Sequence, residues 1–113
     1  MVTEQLQGAS VATKANVFFD GKCVSHTVTL ANGEKKSVGV VLAATLTFNT
    51  AAAEIMECVA GSCEYKVAGS CEYKVAGSNE WKTSGPGSQF SVPANSSFDI
   101  KVAEAYHYIC HFG

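Results

Sequence analysis

Two carboxylates, two imidazoles, a lysine pair and a thiol are the groups of this chain best placed to do chemistry. Glu57 lies between the apolar residues Met56 and Cys58, and Glu54 precedes it on the same segment. A carboxylate can accept hydrogen bonds from hydroxyls or face a developing positive charge. The competing reading of Glu57 is a solvent-facing strand acid, since acids are seldom buried unpaired. On a strand, His107 and His111 share the face of Ile109, while Tyr106, Tyr108, Cys110 and Phe112 make the other face. Histidine moves protons near neutral pH; a stripe turned to solvent or to a partner chain is the alternative. Lys35 and Lys36 are neighbours, so a strand turns them to opposite sides, and Ser37 shares the face of Lys35. Lysine meets an anion as a point charge, yet a solvated hairpin lysine is the simpler account of Lys35, and a surface serine explains Ser37 as readily as a site role does. Cys110 adjoins His111, but strand neighbours point apart, which favours a buried thiol over a Cys–His nucleophile. His26, His107 and His111 match no metal-ligand spacing, so no metal site is expected.

These groups need strands to hold them. Val24, His26, Val28 and Leu30 alternate with Cys23, Ser25, Thr27 and Thr29, which is period two. Asn32-Gly33 follows, the strongest short hairpin signal, and the return strand runs from Lys36 to Leu42 and on toward Phe48. Thr50–Glu54 breaks the pattern as a loop or one helical turn. Further short strands are expected at Ile55–Val59, Cys63–Val67, near Trp81, through Phe90 and Val92, at Phe98–Val102 and at Ala105–Phe112, with Ser84–Ser88 as a turn. Many short strands with regular turns predict an all-β barrel or sandwich. Residues 1–14 read as a tail or peripheral strand, and residues 15–113 as one domain. Gly61–Ala68 is repeated identically as Gly69–Ala76, a tandem duplication over 61–76. Its even length preserves strand alternation.

Composition narrows the function classes. With 113 residues, 47% hydrophobic and 16% charged, the chain suits a single globular domain. The net charge is −2 and all eight basic residues are lysines, so a basic nucleic-acid footprint and any guanidinium clamp on phosphate are absent. No apolar run reaches the roughly 20 residues of a membrane helix, and no signal-peptide order opens the chain. A cytoplasmic protein with its five cysteines reduced is expected.

Two segments resemble the paired motifs of the cupin fold. Gly87-SQFSV-Pro93-Ala94-Asn95 is similar to the second motif, and Glu54-IMECVA-Gly61 to the end of the first. Glycine and proline fix corners between barrel strands. A metal-binding cupin has a His-x-His pair ahead of the Glu and another His in the second motif. Here Leu46–Thr50 and Phe98 stand at those places, so the resemblance implies a metal-free member. Asn16-Val17-Phe18-Phe19-Asp20-Gly21-Lys22, Lys36–Val40, Glu54-x-Met56, Phe90-x-Val92-Pro93 and Tyr108-Ile109-Cys110 resemble, in order, the pyrimidine/purine nucleoside phosphorylase family of very small single-domain cupins. Members carry arginine where this chain has Lys35 and His111, and the stretch from Gly61 to Pro93 looks eight residues longer than usual, as the duplication would explain.

The resemblance implies an all-β, jelly-roll-like cupin barrel, a homodimer, and phosphorolysis of pyrimidine and purine nucleosides to free base and pentose 1-phosphate. It implies no cofactor, inorganic phosphate as co-substrate, and neither nucleic acid nor membrane as partner. Lys35, Glu57 and His111 are the expected catalytic residues. Ser37, Glu54, Phe90 and His107 are the expected substrate-binding residues, with Glu54 at the cupin carboxylate position. Phe48, Phe90 and Phe98 offer stacking surfaces for a base, against core filling as the simpler role. The rival readings are a metal-free cupin that binds a nucleoside or sugar without chemistry, a metal-dependent cupin enzyme, and a thiol sensor.

Overall fold

Period-two alternation becomes strand wherever it occurs. The computed structural model describes residues 3–67 and 81–112. Its strands are β1 (Ser10–Val11), β2 (Asn16–Phe18), β3 (Cys23–Thr29), β4 (Lys35–Asn49), β5 (Glu54–Gly61), β6 (Cys63–Val67), β7 (Lys82–Ser84), β8 (Gln89–Val92) and β9 (Ser97–Phe112). All pairings are antiparallel. The main path runs β1-β3-β4-β9-β5-β8, with β2 on β3 and with β6 linking β9 to β7, and among the described residues hydrogen bonds do not close it into a ring. The fold is therefore all-β and cupin-type, as expected. Among the described residues no helix is long and apolar enough to cross a membrane.

The turn after β3 is a three-residue loop rather than a two-residue one. The Gly33 amide donates to the Leu30 carbonyl at 2.9 Å, and the Leu30 amide donates to the Glu34 carbonyl at 2.8 Å. Gly33 has φ +88°, the left-handed conformation that such a loop requires at its third residue. Within residues 1–14, β1 pairs with Val28 and Thr29 of β3. Of the duplicated segment, the first copy supplies β6; the second, residues 69–76 with Cys71, lies outside the described residues.

β9 is the spine. One edge pairs with β4 from Ser97 to His111, and the other pairs with β6 and then β5. Its register with β4 shifts between Leu42 and Ala44, and its register with β5 shifts between Cys58 and Ala60. Such bulges bend long strands and re-aim side chains. Cys23, Val41, Met56, Cys58, Ile100 and Tyr106 fill the core between the curved strands. At the loop leading from β4 to β5, buried Thr50 donates its hydroxyl to the Pro93 carbonyl at 2.6 Å and accepts from the Ser96 amide at 3.0 Å. That hydroxyl pins the Pro93–Ser96 corner beside the start of β5.

Between β2 and β3 lies a single 3-10 turn, Phe19–Gly21. Phe19 and Asp20 have φ of 52° and 54°, and Gly21 has 91°. The left-handed conformation costs a non-glycine residue about 1–2 kcal/mol, so this turn is held in a strained form by its surroundings.

Candidate active site

Cross-strand registers sort the chemistry onto two faces of β4 and β9. On the inner face, one row runs Thr27, Ser37, Cys110, Met56 and Phe90 across β3, β4, β9, β5 and β8. The next row toward the open end has Thr29 beside Lys35, and Phe112 beside Glu54. The following row inward joins Ser25, Gly39, Tyr108 and Cys58.

These rows enclose an inner cavity of about 230 Å3. Its polar wall has Asn16, Ser25, Thr27, Ser37, Asn49 and Glu54; its aromatic wall has Phe18, Phe48, Phe98, Tyr108 and Phe112. The Asn16 amide reaches the hydroxyls of Ser25 and Thr27 at 3.3 and 3.4 Å. Burial pushes the Glu54 carboxyl above its ordinary value. Cys110, also on the wall, is pushed up to about 12 by burial and by nearby Glu54, against a hydrogen bond with Ser37 and the charge of Lys36. It is therefore a protonated thiol at neutral pH and a poor nucleophile. A surface cleft of about 430 Å3 opens at the same end, lined by Glu54, Ile55, Ser91, Pro93, His111 and Phe112 among others. Glu54 and Phe112 border both spaces.

The outer face carries a second polar group. Lys36 Nζ donates to His111 Nδ1 at 2.6 Å, and His111 Nε2 donates to Glu57 Oε1 at 2.9 Å. An ammonium can only donate, so this tautomer is the one the geometry requires. Glu34 lies 3.7 Å from Lys36. Burial pushes the Glu57 carboxyl up, but hydrogen bonds from Thr3 and His111 and the nearby imidazole outweigh it and hold the carboxyl below its ordinary value. A depressed carboxyl contributes stability above its unfolded value and loses it as pH falls through the folded one. E57Q should therefore be less stable than the parent chain by about 0.5–1 kcal/mol at pH 7, the carboxylate being partly exposed. The difference should vanish below about pH 4. Thermal melts of both chains from pH 3 to 7 check this.

The expected site residues divide between the faces. Ser37 and Glu54 line the inner cavity; Lys35 stands exposed at the rim, in the strand phase of Ser37. Glu57 and His111 meet each other on the outer face, and His111 meets Glu54 only through the cleft they both line. His107 is exposed on the outer face, against a cleft of about 670 Å3 whose wall includes Val24, Val38 and Ile109. Phe90 is buried and stacked on Tyr65 with ring centroids 3.8 Å apart, so core filling accounts for it. Asn16 and Phe18, which the sequence marked only as part of the family motif, and Ser25 and Thr27 also line the cavity. The strand phase of Cys23, Ser25 and Thr27 was the available signal, but nothing in it marked that face as inner.

At the places where metal-binding cupins have histidines, Phe48 and Phe98 stack with centroids 5.3 Å apart and planes within 16°. Among the described residues no three His, Cys, Asp or Glu side chains gather as a metal site would need. Glu54 alone is a weak donor set for a transition metal.

Residues 13–112 match the family model described as pyrimidine/purine nucleoside phosphorylase. A pyrimidine/purine nucleoside phosphorylase of Ralstonia nicotianae is 66% identical over 112 residues, 99% of each chain. A protein of unknown function from Acinetobacter sp. ADP1 has a crystal structure that superposes with TM-score 0.89 at 38% identity, covering 98% of this chain and 100% of that one. Bacillus subtilis oxalate decarboxylase superposes with TM-score 0.70 at 12% identity, covering 98% of this chain and 30% of that one, a likeness of fold alone.

Proposed function

The chain belongs to the pyrimidine/purine nucleoside phosphorylase family, and from that premise we propose that it is a pentosyltransferase that cleaves nucleosides with phosphate. The observation that carries this reading is the inner cavity: among the described residues one half-buried carboxylate, Glu54, stands among hydroxyls and amides beside an aromatic wall. A phosphate oxygen forms a bond to C1′ of the pentose as the C1′–N bond breaks. The electron pair leaves with the base nitrogen, which takes up a proton. The products are free base and pentose 1-phosphate, and no cofactor is required.

C1′ passes through a state with oxocarbenium character, and an ionised Glu54 faces that charge or holds the pentose hydroxyls. Ser37, Thr27 and Asn16 supply further hydrogen bonds to the sugar. Lys35, at the rim, meets the phosphate; His111, whose ring nitrogens are both engaged by Lys36 and Glu57, holds the Lys36 ammonium beside the cleft it lines with Glu54. Glu57 orients His111 by accepting from its Nε2, and is a positioning residue. Stacking surfaces that do not read base edges suit broad base tolerance.

A second reading has one observation in its favour: among the described residues no lysine lines the inner cavity. On that reading the protein binds a nucleoside or sugar without chemistry. Free base is followed with uridine and with adenosine, each with and without phosphate. Release only with phosphate supports phosphorolysis, and binding with no release supports the second reading. K35A is expected to raise the phosphate KM about tenfold while leaving the nucleoside KM nearly unchanged; equal phosphate KM values would remove Lys35 from the site.

A further inference from the structure

We propose that the nucleobase is held by an aromatic clamp of Phe18, the last residue of β2, and Phe48 of β4, beside the strained Phe19–Gly21 turn. The inference rests on the nucleoside reading and names the part of the cavity that takes the base. Phe18 and Phe48 both line the inner cavity. Their rings meet edge to face at 6.4 Å, and Phe19 meets Phe48 the same way at 5.2 Å. Phe48 in turn stacks on Phe98. Phe18 and Phe19 nevertheless each remain 44% exposed. A phenylalanine pair serving the core alone would be covered, and it would not need two successive non-glycine residues, Phe19 and Asp20, at positive φ. Strain of this kind persists where the surroundings impose it and gathers at ligand clamps.

The polar groups of the cavity show which part of a nucleoside goes where. Asn16, Ser25, Thr27 and Ser37 come from the inner phases of β2, β3 and β4, as hydroxyls and an amide suited to a sugar. Phe48 and Phe98 are paired near the other end of β4 and β9, with Asn49 as the adjoining polar residue. A base laid parallel to Phe48 stacks on that ring and meets Phe18 edge to face, since the two rings stand at 76°, so it is held by its π-face, which every base has, rather than by hydrogen bonds to its edges.

F18S tests the exposed ring with little risk to folding, and F48L removes a ring while keeping an apolar side chain. Both variants are expected to raise KM for uridine and for adenosine about tenfold or more, with kcat changed less than about threefold. Free adenine should lose potency as a competitive inhibitor by a similar factor. V17S, an exposed neighbour outside the cavity, serves as the control with parent-like kinetics. If the parent chain releases base with phosphate and both variants keep its KM and adenine inhibition, the clamp is wrong and the phosphorolysis reading stands. If the parent chain releases no base, that reading fails, and the clamp is decided by adenosine binding. Loss of binding in F18S and F48L upholds it, and binding equal to the parent overturns it.

Discussion

Replacing Glu54 by glutamine is expected to cut turnover at least about 100-fold while making the folded chain more stable at neutral pH. The loss follows from the electrostatic role of the carboxylate. Gln keeps the shape and can still accept a hydrogen bond, but it cannot face a developing positive charge with a full negative one. The gain in stability follows from the raised carboxyl of Glu54, whose cause is burial. A group whose folded value lies above its unfolded value contributes stability below the unfolded value and loses it as pH rises through the folded one. The parent chain therefore carries an unfavourable ionised Glu54 at pH 7, and E54Q does not. A rise in Tm of roughly 2–5 °C at pH 7, shrinking toward zero near pH 4, is the expected signature. Kinetics and melts on the same preparation check both halves. Parent-like turnover would remove Glu54 from the chemistry, and a fall in Tm at pH 7 would show that its charge is compensated in the fold.

G61A is expected to be the most damaging conservative change in the described chain. Gly61 has φ +77°, and a Cβ there would strike the carbonyl oxygen of Ala105 and lie 3.1 Å from its carbon. Neither atom belongs to a flexible side chain, so β5 must separate from β9 where Gly61 pairs with Tyr106. Left-handed strain and backbone displacement together should cost about 3–5 kcal/mol. Against a total of about 5–15 kcal/mol this is a large share. Urea unfolding should show a much lower midpoint at unchanged slope; a loss under about 1 kcal/mol would mean that the backbone yields easily at this corner. Separation of β5 would also shift Glu54, which begins the same strand.

Much of the framework was legible from residue order. Alternation in Cys23–Leu30 and in the last strand placed Tyr106, Tyr108 and Cys110 on one face, and all three are buried. Asn32-Gly33 marked the hairpin. The site was less legible, because alternation tells which residues share a face and not which face encloses the cavity. Ile109 is buried on the outer face, at a cleft whose wall includes Leu6 and Ala9 of the N-terminal segment, so burial does not separate the two sides. Glu54 and Glu57 differ by an odd step, which puts one inside and the other outside, and only the strand pairing shows which. The register shift past Cys58 adds a residue that no pattern in Glu54–Gly61 announces. Phe90 read as a stacking surface, and its ring stacks on Tyr65 of the repeat. Phe19 gave no periodic signal, since its conformation is set by the turn, and β2, ending at Phe18, is too short for alternation to show.

The central claim is that phosphate, not water, accepts the pentose. Phosphorus NMR of the chain incubated with uridine and inorganic phosphate tests it most directly. The account predicts a phosphate-monoester signal that grows in step with free uracil while inorganic phosphate falls by the same amount. Uracil appearing with free ribose and unchanged inorganic phosphate would contradict it, because the bond at C1′ would then have gone to water.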